Sequence, residues 1–289
     1  MSDNFFSDIL LPLTLGIITL GMGLAIESKD FAGIFRYPKA IITGLLTQML
    51  VLPLIAFMIC FSFDIDPVYK VGLIIIAACP GGATSNLVNF MLNGNVALSL
   101  SITLVNSLIT LFTIPAIVGI GLELFRDERA VIHLPFGETI LNIFLIVAIP
   151  AAIGVTIRHF FRDFAIRLEK PLRYILPVLL LVVYSGVLFI DKGAESLHLM
   201  DYLNLYPYAI LLNVLSMLGG WFVAKQIGLK RRNQFTIAVE VGLQNSTLAI
   251  FIAATLLSSQ QMAVVPIIYG SFSFFTTWGF GYLLKRFSR

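Results

Sequence analysis

Charge is what this 289-residue chain has least of. Asp, Glu, Lys and Arg together make up 12% of it, against 58% hydrophobic residues. Soluble domains carry about 25% charged residues, so a water-soluble globule is excluded, and the mean hydropathy of +0.94 agrees. Cysteine is scarce too. Cys60 and Cys79 lie in or beside apolar runs and read as small buried side chains rather than a disulfide. No CxxC and no Cys/His cluster suggests a transition metal. His133, His159 and His198 fall in loops or at span ends, which removes a proton relay through histidine. No HExxH, paired-Asp or GxSxG pattern occurs, which argues against an intramembrane enzyme. The N-terminus, Met1-Ser2-Asp3-Asn4-Phe5, lacks the basic region of a signal peptide, so the first apolar segment is expected to stay as a span.

What is present is a series of nine apolar runs, at about 9–26, 40–61, 69–92, 96–124, 139–159, 174–190, 207–227, 235–257 and 262–284. Each is long enough to approach or cross a bilayer. The chain reads as an all-α polytopic membrane protein of nine transmembrane helices, with no soluble domain left over. Lys and Arg set the orientation. The odd-numbered loops and the C-terminus carry 15 of them, and the N-terminus and even-numbered loops carry 4. That bias predicts a cytoplasmic C-terminus and an outside N-terminus in the cell (inner) membrane. The net charge of +3 therefore reports topology, and no nucleic-acid partner is expected. The segment Phe160 to Arg173 alternates charged and apolar residues, as either an interfacial helix or a solvated connector would.

Two of the nine runs are broken in the middle. The third reads Ala77-Ala78-Cys79-Pro80-Gly81-Gly82-Ala83-Thr84-Ser85-Asn86, and the eighth Ala238-Val239-Glu240-Val241-Gly242-Leu243-Gln244-Asn245-Ser246-Thr247. Proline lacks an amide proton and clashes with the preceding turn; paired glycines open backbone angles closed to other residues. Thr84, Ser85 and Asn86 are expected to supply N-cap side chains to a second half-helix. Irregular backbone survives at membrane depth only inside protein or beside water. Matching interruptions in two halves of a chain mark a transporter's binding site. The two broken spans are separated by an odd number of crossings and so run in opposite directions, as inverted repeats require.

Glu240 is the sharpest single residue, a carboxylate deep in a span where a charge costs about 2.5–3.5 kcal/mol on insertion scales. A protonated or locally paired Glu is the plainer reading. Gly242, Gln244 and Asn245 beside it favour a cation cage. In the fourth span Ser99, Thr103, Asn106 and Thr110 share one helix face. Gln48 is the long polar side chain of the second span, suited to an interhelical hydrogen bond or to a site. Glycines 16, 21, 23, 219 and 220 suit close helix packing.

The combination Cys79-Pro80-Gly81-Gly82 with Ser85-Asn86, then Gly94-Asn95-Val96-Ala97-Leu98-Ser99, then Glu240-Val241-Gly242-Leu243-Gln244-Asn245-Ser246 resembles the bile acid:sodium symporter family, over nearly the whole chain. Ala83-Thr84 reverses the Thr-Ala order of some bacterial members. The resemblance implies the nine-helix form, with a panel domain (about 9–26 and 139–190), a core domain (about 40–124 and 207–284) and interrupted helices crossing inside the core. It implies two sodium sites. One would use Ser85, Asn86, Ser99, Thr103 and Glu240; the other Gln48, Glu240, Gln244 and the carbonyls of Val241 and Leu243. It also implies sodium-coupled import of an amphipathic organic anion, bile-acid-like or a small carboxylate, by alternating access. The substrate would lie near Thr84 and Asn245, bordered by Phe275 and Thr276. The expected partners are that anion, Na+ and the lipid bilayer. Proton coupling through Glu240, an intramembrane enzyme, and a channel or receptor are the competing readings.

Overall fold

The computed structural model describes residues 9–25, 37–125, 136–168 and 199–287, with a few isolated positions between 171 and 182. In chain order the helices are α1 (Leu11–Ala25), α2 (Pro38–Ser62), α3 (Pro67–Ala78), α4 (Ala83–Met91), α5 (Val96–Leu124), α6 (Phe136–Ile143, continuing through Ile149–Phe160), α7 (Tyr206–Gln226), α8 (Arg231–Gly242), α9 (Ser246–Phe251, continuing in a wide turn to Leu256) and α10 (Gln260–Phe287). Among the described residues the structure is all-helical. Five helical stretches among the described residues are long and apolar enough to cross a bilayer: Pro38–Ser62, Val96–Leu124, Ile140–Phe160, Tyr202–Gln226 and Gln260–Leu284. The third and eighth apolar runs each become two half-helices, α3 with α4 and α8 with α9. The sixth run, 174–190, lies outside the described residues apart from Ile175, Leu179 and Val182, and His133 and His198 lie outside them too.

Proline shapes the long helices without ending them. Pro53 and Pro150 each follow a widened π-helical turn, Thr47–Val51 and Phe144–Ala148. The wider turn relieves the clash between a proline ring and the carbonyl four residues back. In α6 that freed carbonyl, Ile146 O, accepts from Thr19 Oγ1 of α1 at 3.2 Å. The same pair of helices closes further along through two glycines: a methyl group on Gly154 would sit 2.9 Å from Gly23 Cα. Gly220 does likewise for α7, where a methyl would meet Ala238 Cα of α8 at 3.2 Å. The small residues therefore serve backbone approach, the usual device where lipid supplies no hydrophobic drive. Cys60 and Cys79 are free and buried.

The two interruptions meet. Gly81 and Gln244 form an isolated antiparallel bridge, and Asn245 N donates to Pro80 O at 2.9 Å. Proline thus leaves its own carbonyl facing the other break, whose amide satisfies it. This exchange lets two stretches of extended backbone stay buried, because each supplies the hydrogen bonds the other has lost. Fully buried Ile74, Ile75, Ile76, Ile237, Ile250 and Ile252 flank the breaks and exclude water from around them.

Candidate functional site

Glu240 sits in the last turn of α8, just before the break at Leu243, and is fully buried. Among the described residues no cation pairs with it. Its neighbours are hydroxyls and amides. Ser99 Oγ donates to Glu240 Oε1, Thr103 Oγ1 donates to Oε2 at 3.0 Å, and Asn89 Nδ2 approaches Oε1 at 3.5 Å. Ser85 Oγ donates to Gly82 O at 2.7 Å and stands on the same side as the carboxylate, 3.5 Å from where a methyl on Gly81 would lie. Gly81 lets the first break come this close, since a methyl there would stand 2.8 Å from Glu240 Oε2.

One hydroxyl in this cluster faces two acceptors. Ser99 Oγ lies 2.7 Å from Asn86 Oδ1 as well as against Glu240 Oε1, yet a hydroxyl donates a single hydrogen. Asn89 Oδ1 is buried without a hydrogen-bond partner. A buried carboxylate with surplus acceptors around it is costly by itself and well suited to a hard cation. Ser85, Asn86, Ser99, Thr103 and Glu240 are thus brought together.

The other expected group lies one turn further along. Gln48 Nε2 donates to Gln244 Oε1 at 3.0 Å, and Gln244 Nε2 donates to Val241 O at 2.7 Å. Gln48 Oε1 is buried and has no partner. Gln48 therefore does form an interhelical hydrogen bond, but its partner is a residue of the expected cage. Thr43 and Thr47, beside it in sequence, bond only the carbonyls of Lys39 and Thr43 in their own helix.

Thr84 is exposed and Asn245 half-buried. They flank Gly82: a methyl on Gly82 would lie 3.5 Å from Thr84 Oγ1 and 3.8 Å from Asn245 Cα. The expected N-cap role of Thr84, Ser85 and Asn86 is corrected here. The cap of α4 is Gly82, with no side-chain capping bond. The three side chains fall inside the first turn, where Ser85 and Asn86 turn toward Glu240 and Ser99. Asn245 does cap, its Oδ1 accepting from Leu248 N at 3.0 Å. On α10, Phe275 is 71% exposed and Thr276 Oγ1 donates to Asn213 Oδ1 at 2.7 Å.

The sequence reading passed over Asn89 and Asn213. Asn89 Nδ2 joins Ser85 O at 3.1 Å and Ser99 Oγ at 3.0 Å, tying α4 to α5 beside Glu240. Its signal was its place one helical turn beyond Ser85. Asn213 on α7 donates to Gly242 O at 2.6 Å, and Tyr269 of α10 donates to the same carbonyl at 2.7 Å. These two fix the end of α8 from outside it. Nothing local in sequence marks Asn213, because its partners are 29 and 56 residues away.

The comparison with known families matches this architecture. The Sodium Bile acid symporter family covers residues 12–198. The chain belongs to that family. Its relatives include a Bacillus subtilis (strain 168) protein named as the uncharacterized sodium-dependent transporter YocS, 31% identical over 89% of this chain and 76% of its own length. The ileal sodium/bile acid cotransporter of Homo sapiens is 27% identical over 93% of this chain and 78% of its own. Membership places the chain among integral membrane transporters rather than enzymes.

Proposed function

We propose that this family member is a sodium-coupled symporter that imports an amphipathic organic anion by alternating access. The observation that carries this reading is the cluster at Glu240, where a buried carboxylate with no cation beside it among the described residues meets the side-chain oxygens of Asn86, Ser99 and Thr103. In this reading one sodium lies among Ser85, Asn86, Ser99, Thr103 and Glu240. A second lies among Gln48, Gln244, Glu240 and the carbonyls of Val241 and Leu243. A proton in their place would discharge Glu240 but would leave Gln48 Oε1 without a partner, which favours a cation over proton coupling.

The ions are co-transported, and their role is to hold the crossing. α4 supplies Ser85 and Asn86, α5 supplies Ser99 and Thr103, and α8 supplies Glu240. A cation bound by all three draws the two breaks into one arrangement. That arrangement fixes Gly82, Thr84 and Asn245, where the N-terminal ends of α4 and α9 present backbone N–H groups and positive dipole ends to an anion. Phe275 and Thr276 of α10 border the substrate in this scheme. α1, α6 and the segment 174–190 form the panel, and the remaining helices form the core that moves against it. The N-terminus is outside and the C-terminus cytoplasmic.

Such coupling is reciprocal: sodium and substrate raise each other's affinity by the same factor, typically about 1–3 kcal/mol. The test uses purified protein in liposomes. Uphill uptake of bile acids or small carboxylates is expected with an inward sodium gradient and not with choline. Accumulation driven equally well by a proton gradient without sodium would overturn the reading.

A further inference from the structure

The sodium ligands expected from the family leave a buried amide beside them unexplained. Asn106 of α5 is fully buried, and neither its Nδ2 nor its Oδ1 has a hydrogen-bond partner. It shares a face with Ser99, Thr103 and Thr110, all of them buried. Ser99 and Thr103 hold Glu240, and Thr110 bonds the carbonyl of Ser107 in its own helix at 3.1 Å. Asn106 is the member of the face whose polar atoms are spoken for by nothing. An amide buried in that state is destabilising, so its place needs a reason.

The helix register supplies one. α5 ascends in step with α8: Asn95 N meets Thr236 Oγ1 at 2.8 Å, and four residues on Ser99 meets Glu240. The next turn of α5 carries Thr103, which also reaches Glu240, and then Asn106, while α8 has ended at Gly242 and Gln244 lies in the extended break. α2 joins at the same level. A methyl on Gly44 would stand 2.5 Å from Ile102 Cδ1, and four residues beyond these two come Gln48 and Asn106. Gln48 Oε1 is the other buried acceptor of this layer without a partner, and Gln48 is bonded to Gln244. α2 and α5 thus bring Gln48 and Asn106 to one depth, and Gln244 in the break joins that layer through its bond to Gln48.

We propose that Asn106 and Gln48 form an annex to the sodium site that takes a partly hydrated sodium ion, with Asn106 Oδ1 as a direct ligand and Nδ2 donating to a water the ion retains. A bare ion satisfies only the oxygens, and an apolar neighbour satisfies neither atom. An ion carrying one water satisfies an acceptor and a donor together. The annex rests on the sodium-coupled reading and extends it: the ion has a stage at which dehydration is incomplete, next to the carboxylate that finishes it.

The test is thermal unfolding of the purified full chain titrated with sodium chloride, choline chloride keeping ionic strength constant, for wild type, Asn106→Leu and Asn106→Asp. Asn106→Leu is expected to raise the half-saturating sodium concentration about tenfold, the size of one lost polar contact. Its unfolding temperature in choline should equal or exceed that of wild type, because two unsatisfied groups are removed. Asn106→Asp keeps shape and oxygen while adding charge, and should lower the half-saturating concentration by a similar factor. If Asn106→Leu does not fold, the Asp variant decides alone. Half-saturation unchanged in the variants that fold would overturn the annex and leave Asn106 as the holder of a structural water. A wild type whose unfolding ignores sodium would instead sink the sodium reading itself, and the annex with it.

Discussion

In the first interruption, Pro80 and two glycines open the helix, and the second half-helix starts at Gly82 without a capping side chain. In the second interruption there is no proline. Its only glycine is Gly242, its cap is the side chain of Asn245, and its carbonyl at Gly242 is held by Asn213 and Tyr269 from two other helices. One break is written in backbone chemistry; the other depends on what packs around it. The difference suits their contributions. The first presents hydroxyls and amides on a stretch that comes within reach of Glu240 because Gly81 has no side chain. The second carries the charge, and a charge needs its position set by more than one element.

Glu240→Gln breaks this division most severely. It keeps the volume and removes the negative charge that a cation would compensate. The half-saturating sodium concentration is expected to rise by about a hundredfold, as loss of a charged contact implies, while the protein still inserts and unfolds cooperatively. Sodium-dependent stabilisation left intact in this variant would refute the site.

Gly81→Ala and Gly82→Ala sharpen the account of the first break. A methyl on Gly81 would lie 2.8 Å from Glu240 Oε2, while one on Gly82 meets nothing closer than 3.5 Å. The Gly81 variant should lose about 1–3 kcal/mol from overpacking along with its sodium response, and the Gly82 variant should keep both. Equal losses in thermal unfolding would mean that both glycines serve conformation alone.

Asn245→Ala tests the second break's cap. Losing the bond to Leu248 N should cost about 1 kcal/mol. Substrate affinity, read by calorimetry in saturating sodium, should fall while the sodium response is spared. A variant that binds substrate normally would remove Asn245 from the substrate's surroundings.

The smallest effect is expected from Tyr269→Phe, which deletes one of the two donors to Gly242 O and leaves Asn213. A cost of about 0.5–1.5 kcal/mol is expected in thermal unfolding, with the sodium response weakened only slightly. A collapse of that response would show that the tyrosine, rather than the asparagine, sets the end of α8.

Much of the site was legible because membrane helices tolerate so few polar residues. Against an apolar background, Glu240, Gln244 and the Ser99–Thr103 face stand out, and periodicity alone puts the last pair on one side of α5. The Pro80-Gly81-Gly82 break was legible for the same reason. The capping role expected for Thr84, Ser85 and Asn86 was misjudged because a local rule, polar side chains at a helix start, was overridden by a distant carboxylate. Asn89 and Asn213 escaped notice because one asparagine in a span has an ordinary local explanation, and what distinguishes these two is their partners.

By itself, then, the sequence determines a membrane-embedded helical chain, the places where two of its spans break, and a carboxylate too costly to keep there without purpose. Those follow from composition, from the missing amide of proline and from the expense of charge in hydrocarbon, all of which are properties of residues and their neighbours in the chain. Only the tertiary structure decides that Pro80 O meets Asn245 N, that Ser99 and Thr103 both reach Glu240, and that Gly242 O is held from α7 and α10. Hydrogen bonds between residues 27 to 165 positions apart depend on helix register and close approach, and no local pattern encodes either.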